Sequence, residues 1–228
     1  MKIVCLSDTH GLHERMTAKI PMGDVLVHAG DATNVGTPDE VDQFLRWFGA
    51  QPHPHKILVA GNHDRLFEDS PDIAELLLLM HHGDITYLQD SGVEIGGLKF
   101  WGSPWQPAFM HWSFNLPRKG TALRRAWNKI PLDTDVLITH CPPHGVLDEV
   151  RPRPTGWGEP DSGSGPLGCE ELAIRMASLK PRLHVFGHIH DGYGREERGG
   201  VTCVNASICV ESYRPTNKPI VVTLSGQR

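Results

Sequence analysis

Five short apolar runs in this chain each break off into glycine, aspartate, asparagine or histidine, and this pattern constrains the fold more than any other feature. Residues 2–7 lead into Asp8, 24–29 into Gly30 and Asp31, 56–60 into Gly61, Asn62 and His63, 135–139 into His140, and 183–186 into Gly187 and His188. Runs of about four to six Val, Ile and Leu-rich residues bounded by glycine or polar residues read as buried strands. Ligands of an open α/β sheet collect just beyond the carboxyl ends of its strands. Five strands delivering Asp, Asn and His to that edge would build one polar site from segments far apart in sequence.

Helix signals lie between these strands. Thr37-Pro38-Asp39-Glu40 has the form of a capping box with proline in the first turn, and Val41, Phe44, Leu45 and Phe48 follow at helical spacing. A second helix is expected from Ser70-Pro71, with Ile73, Leu76, Leu77 and Met80 on its inner side. Residues 121–129 and 168–179 read as two more, the last turning Leu172, Met176 and Leu179 inward. Residues 92–95 and 98–101 around Gly96-Gly97 read as a hairpin, and 201–206 and 219–224 as further strands. With no internal repeat and no long linker, residues 1–228 are expected to form one domain.

Composition bounds the function. The 228 residues carry a formal net charge of −5, with 39% hydrophobic and 21% charged residues, as in a soluble globular protein. A mildly acidic chain lacks the basic face that stable nucleic-acid binding needs. Asp8 ends the first apolar run too early for a signal peptide, and the run 76–80 is far short of a membrane span. The five cysteines (Cys5, Cys141, Cys169, Cys203 and Cys209) contain no CxxC pair, which argues against both a disulfide framework and a zinc knuckle. The expected location is the cytoplasm, with no membrane partner. Fourteen histidines are many, and histidine is the commonest protein ligand for transition metals.

The strand ends spell Asp8-x-His10, Gly30-Asp31, Gly61-Asn62-His63-Asp64, His140 and Gly187-His188-x-His190, in that order. This pattern resembles the calcineurin-like metallophosphoesterases, whose DxH, GD, GNH[DE], H and GHxH elements are matched in full. The resemblance implies a four-layer αββα sandwich of the α/β (α+β) class, with two mixed sheets flanked by helices and two divalent metal ions at one sandwich edge. One ion would take Asp8, His10, Asp31 and His190; the other Asp31, Asn62, His140 and His188, with Asp31 shared. Manganese is the expected metal, with iron, zinc, cobalt and nickel as alternatives that such mixed ligands accept. Two divalent ions outweigh two carboxylates by about two charges, so the site would attract an anion although the chain is acidic. By resemblance, a hydroxide held by both ions attacks phosphorus, Asn62 helps to neutralise the equatorial oxygens, and His63 protonates the leaving oxygen. Asp64 either orients His63 or caps the turn.

The other nine histidines (13, 28, 53, 55, 81, 82, 111, 144 and 184) are read as structural. His53 and His55, alternating with prolines, belong on a surface loop; His28 and His184 lie in strand runs, either as satisfied core groups or as groups that support the ligands. His144 could touch substrate. Cys141, before a diproline, reads as packing rather than as a nucleophile. Trp105, Phe109, Trp112 and Phe114 either stack on a base or form loop core or an interface. The Pro- and Gly-rich segment 152–166, with Arg151, Arg153 and Trp157, is a candidate cover for the metal edge.

Segments 182–194, 204–207, 214–220, 101–107 and 114–117 resemble the small metallophosphoesterase-domain (MPPED-like, class III cyclic nucleotide phosphodiesterase-like) proteins. That implies a metal-dependent phosphodiesterase acting on small phosphodiesters or nucleotides, with cyclic nucleotides foremost. Some animal members lack one histidine of the GHxH element; His188 and His190 are both kept here. A phosphomonoesterase, a phosphoprotein phosphatase or a nuclease would share the metal site. The phosphoprotein phosphatase signature GDxVDRG is absent after Gly30, and the chain has no length for a nuclease's added domains. A non-catalytic interaction scaffold would be expected to show gaps in the ligand set, and none is visible.

Overall fold

A computed structural model describes residues 1–81, 85–152 and 164–225. The first sheet contains β1 (Lys2–Leu6), β2 (Val25–Ala29), β3 (His55–Val59), β4 (Ile85–Tyr87) and β15 (Ile220–Thr223) in the order β15-β1-β2-β3-β4. The second contains β5 (Ser91–Ile95), β6 (Leu98–Ser103), β9 (Val136–Thr139), β12 (Leu183–Phe186), β13 (Gly194–Arg198) and β14 (Val201–Asn205) in the order β13-β14-β12-β9-β6-β5. Both sheets are mixed. β15 joins β1, β13 joins β14 and β5 joins β6 antiparallel, while the strands carrying the motifs run parallel. Two short ribbons add β7 (Gln106–Pro107) with β8 (Asn115–Leu116), and β10 (Glu149–Val150) with β11 (Gly165–Pro166).

Alternation along the strands builds the layers. Ile3, Cys5, Val25, Val27, Ile57 and Val59 of the first sheet meet Phe100, Val136, Ile138, Leu183, Val185 and Val204 of the second in one core. The intervening Val4, Leu6, Leu26 and Leu58 face outward onto α1 (Pro38–Gly49), α2 (Leu66–Asp69) and α3 (Pro71–Met80). Leu137, on the far side of the second sheet, packs under α4 (Ala122–Trp127) and α5 (Glu170–Leu179). Helix, sheet, sheet and helix therefore stack as the family resemblance implies. Complete burial of a Val, Leu or Ile side chain stabilises by roughly 1.5–3 kcal/mol, so the strand residues facing both ways make this interior the main source of stability.

The helix starts are chemically specified. Thr37 Oγ1 accepts from Glu40 N at 3.3 Å while the Glu40 carboxylate accepts from Thr37 N at 3.0 Å, the reciprocal capping box expected. Val41, Phe44, Leu45 and Phe48 are all buried. The expectation for α3 holds at Leu77, which packs against the core, and fails elsewhere: Ile73, Leu76 and Met80 are 45%, 57% and 59% exposed, and Ala74 and Leu78 take the inner side with Leu77. The run Leu76 to Met80 is apolar all round the helix, so periodicity had no polar face by which to orient it. His53 is also corrected. It is buried, because the segment before β2 offers its ring an acceptor, with Nε2 bonded to the Pro21 carbonyl at 2.9 Å; His55 is exposed at the start of β3.

Candidate metal centre

Each motif leaves its strand through a sharp turn, and the two sheets meet there. Ser7 bridges to Ser207, with Ser7 N bonded to Ala206 O at 3.0 Å and Ile208 N to Ser7 O at 2.8 Å. This seam places Asp8, after β1, beside His188 and His190, after β12. Asp8, His10, Asp31 and His188 all have positive φ, between 44° and 67°. Such a left-handed backbone is costly for residues with a Cβ and is concentrated at functional sites. Gly187 has a different reason to be glycine: a Cβ there would lie 2.0 Å from Asp8 Oδ2 and 2.2 Å from Ser7 Oγ.

The seven proposed ligands converge in two groups. Asp8, His10 and His190 bring donor atoms within 4.8 Å of one another, and so do Asp31, His140 and His188. In the first group, His10 Nε2 and His190 Nε2 stand 3.2 Å apart, and Asp8 Oδ1 lies 4.0 Å from the one and 3.4 Å from the other. In the second, His140 Nε2 is 3.3 Å from Asp31 Oδ2 and 2.9 Å from Asn62 Oδ1. Asp31 Oδ2 is also 3.9 Å from His10 Nε2, so one carboxylate faces both groups. Two imidazole nitrogens and a carboxylate oxygen aimed at one small space suit a cation better than they suit each other, and the donor set fits divalent transition metals.

Neighbouring groups orient these donors. His140 Nδ1 bonds the Ala29 carbonyl at 3.0 Å, and His190 Nδ1 the Val210 carbonyl at 3.3 Å. A carbonyl can only accept, so Nδ1 carries the proton and Nε2 faces the site. Asp8 accepts from Ser207 Oγ at 2.9 Å and from His188 N at 3.0 Å. Burial would raise the pKa of both carboxylates, yet the hydrogen bond and charge of His190 hold Asp8 below the usual range, and the charge and hydrogen bond of His140 do the same for Asp31. His140 is correspondingly raised to about 9 against its burial, chiefly by Asp31.

The open question about Asp64 is answered by its bonds. Its buried carboxylate accepts from Gly61 N at 2.8 Å, Ala32 N at 3.2 Å, Thr33 N at 2.9 Å and Thr33 Oγ1 at 2.7 Å, so it ties the two turns together rather than orienting His63. His63 is oriented instead by a backbone group, with Nδ1 2.5 Å from the Asn34 carbonyl, and its own N–H donates to Asp31 Oδ1 at 2.8 Å. No side-chain spacing could have revealed Asn34. Ser207 and Tyr213 carry no motif that marks them in the sequence; the Tyr213 ring lies 4.8 Å from that of His10 and 5.5 Å from that of His190.

A cavity of about 400 Å³ opens over both donor groups, with His63, Phe109, Arg118 and Tyr213 among its walls. Of the aromatic candidates, Phe114 is buried loop core with Trp105 packed on its edge, whereas Phe109 reaches the cavity. His28 and His184 are buried and bonded through Nε2 to the hydroxyls of Thr9 and Thr139 at 3.0 and 2.9 Å, but the Nδ1 of each is buried without a hydrogen-bond partner, so neither ring is fully satisfied. His144 is exposed and does not line the cavity. Cys141 is buried, and burial first, then Cys169, push its thiol well above the usual range, which suits packing rather than nucleophilic attack. Arg153, Trp157 and His82 lie outside the described residues.

A two-sheet sandwich with His, Asp and Asn donors converging at one edge is the class of site that a metal-dependent hydrolase needs. The calcineurin-like phosphoesterase family pattern matches residues 1–192, and the chain belongs to that family of metal-dependent phosphoester hydrolases. It is 42% identical over 247 residues to metallophosphoesterase domain-containing protein 1 of Homo sapiens, covering 100% of this chain and 72% of the relative. A UPF0046 protein of Caenorhabditis elegans is 38% identical over 234 residues, covering 97% and 80%. Among solved structures, TT1561 of Thermus thermophilus superposes with a TM-score of 0.58 at 15% identity, covering 90% of this chain and 88% of that one, a likeness of fold. No helix among the described residues is long and apolar enough to cross a membrane.

Proposed function

We propose that this protein is a dinuclear metal-dependent phosphodiesterase for small substrates, with cyclic nucleotides as the leading class. The observation that carries this reading is the single carboxylate, Asp31, facing two donor groups beneath one cavity. Asp8, His10, Asp31 and His190 would hold one ion, and Asp31, Asn62, His140 and His188 the other, with manganese the first choice. When bound, divalent ions supply charge to polarise phosphoryl oxygens and lower the pKa of water.

The chain's own groups account for the rest. Asn62 and the backbone turns fix where the phosphoryl group sits. His63 Nδ1–H is committed to the Asn34 carbonyl, so Nε2 is left to carry a proton to the leaving oxygen, a step typically worth 10²–10⁴-fold. The cavity volume lies within the usual range for small-molecule sites, and Phe109 and Tyr213 offer flat apolar walls for a planar leaving group or base.

The test strips the metals and restores them one kind at a time. Rates are then compared on an aryl phosphodiester, an aryl phosphomonoester, 2′,3′-cyclic AMP and 3′,5′-cyclic AMP. Activity should return with manganese and favour diesters. Metal-independent turnover, or none with any metal, overturns the hydrolase reading; monoester preference overturns the diesterase reading.

A further inference from the structure

We propose that Trp112 is a positioning residue for His63, fixing the plane of its imidazole so that Nε2 faces the leaving oxygen. The indole stacks on the imidazole with ring centroids 3.9 Å apart and planes 27° from parallel. His10 meets the same imidazole edge-on, at 4.6 Å and 83°. With an indole stacked on its face, the His10 ring set nearly perpendicular to it and Nδ1 tethered to the Asn34 carbonyl, the plane of the His63 ring is restrained. Orientation of this kind is where a small displacement costs catalysis heavily.

Trp112 is delivered by a braced loop. The ribbon of β7 and β8 closes it, and the Asn115 side chain bonds Phe109 N, Phe109 O and Met110 O from within. Phe114, fully buried at φ 56°, anchors one end, with its N–H on Glu68 Oε2 at 2.6 Å. Ser113 N donates to the Asn62 carbonyl at 3.2 Å, tying the loop to the turn that carries His63. Asn34 is braced separately, through its N–H to the Glu40 carboxylate of the capping box. The two restraints on His63 therefore come from independent elements.

Trp112 itself is only half-buried and does not line the cavity, so neither core packing nor contact with a substrate base accounts for its place. Among the described residues its ring partner is His63. The inference rests on the reading of His63 as the proton donor, and it is separable from that reading by experiment.

Trp112→Ala and Trp112→Phe are compared with the unaltered protein at matched manganese content. The substrates are diphenyl phosphate, whose phenolate needs a proton on departure, and bis(4-nitrophenyl) phosphate, whose leaving group does not. Trp112→Ala should lower kcat on diphenyl phosphate about tenfold or more while bis(4-nitrophenyl) phosphate loses less than about threefold and KM stays nearly constant; Trp112→Phe should restore most of the loss. A second arm uses the metal-free protein labelled with nitrogen-15 at histidine. There the His63 Nδ1–H should exchange slowly in the unaltered and Trp112→Phe proteins and rapidly in Trp112→Ala. A Trp112→Ala protein that keeps the protected proton, or that slows both esters equally, overturns the proposal. If the unaltered protein hydrolyses neither ester with any metal, the proposed function fails, while the magnetic resonance arm still decides the role of Trp112.

Discussion

Gly187→Ala should cripple the centre through a single methyl group. The added Cβ would stand 2.0 Å from Asp8 Oδ2 and 2.2 Å from Ser7 Oγ. The carboxylate would have to withdraw by about 1 Å or more to reach ordinary contact. That movement breaks its bonds from Ser207 Oγ and His188 N. Hydrogen bonds to a charged group are worth about 1.5–3 kcal/mol each, and overpacking a tight site costs about 1–3 kcal/mol. The expected result is a stability loss of about 3 kcal/mol or more by urea unfolding. Because Asp8 is a proposed ligand, manganese affinity by calorimetry should fall at least as far as it does on loss of an orienting partner, about 10–100-fold. Ser207→Ala, which removes one bond and adds no atom, should fall between the two. A Gly187→Ala protein with unchanged stability and manganese affinity would refute the view that close approach at this seam is what Gly187 provides.

Four further outcomes follow from the geometry. Asp64→Asn should destabilise by about 1–3 kcal/mol in urea unfolding, since an amide nitrogen must face N–H donors that the carboxylate now satisfies; an unchanged midpoint would deny its role in joining the turns. Burial takes His184 down to about 3, so between pH 6.5 and 3 the unfolded chain binds a proton that the folded chain does not. Its contribution is complete well above pH 6.5 and lost as pH falls, at a rate that approaches about 1.4 kcal/mol per unit only well below pH 6.5; His184→Gln should flatten the stability profile between pH 7 and 5 by about 2 kcal/mol in all. Manganese at about 100 times its Kd should stabilise the protein by about 2.7 kcal/mol, a gain that Asp31→Asn should abolish in thermal melts. His188→Gly should lower both metal occupancy, by elemental analysis, and turnover; unaltered values in that variant would remove His188 from the centre.

The sequence carries the layers because strand burial and helix capping are local. β1, β2, β3, β9 and β12 lie where their apolar runs put them, and the Thr37–Glu40 box starts α1 as written. It also carries the ordered chain of Asp, Asn and His, since side-chain identity at a strand end is itself the signal. What could not be read depends on groups that have no letter of their own. His63 is tethered by the backbone carbonyl of Asn34, and Asp64 reads the same as a cap or as an orienting carboxylate until its four donors are placed. Trp112 and Phe114, two residues apart in one aromatic run, divide between an imidazole face and the core. In α3 a run apolar on every side defines no face, so only Leu77 of its expected inner residues packs inward.

The strain at the centre explains why so much structure surrounds so few ligands. Left-handed backbone at Asp8, His10, Asp31 and His188 costs of order 1–3 kcal/mol per residue, and burial together with the nearby Asp31 charge works against an ionised Asp8. Neither cost is sustained locally. The backbone is held by the Ser7–Ser207 bridge, by Asp8 N on the Gly30 carbonyl at 2.8 Å and His10 N on the Asp31 carbonyl at 3.0 Å, and by the Asp64 bonds. The carboxylates are held apart by different partners: Ser207 and the His188 amide for Asp8, the His63 amide for Asp31. What they still need is positive charge, and their contacts with His140 and His190 favour it there. A divalent ion in each donor group would replace that charge and exceed it. The scaffold is thus arranged so that satisfying its own buried acids and holding cations for an anionic substrate are the same requirement.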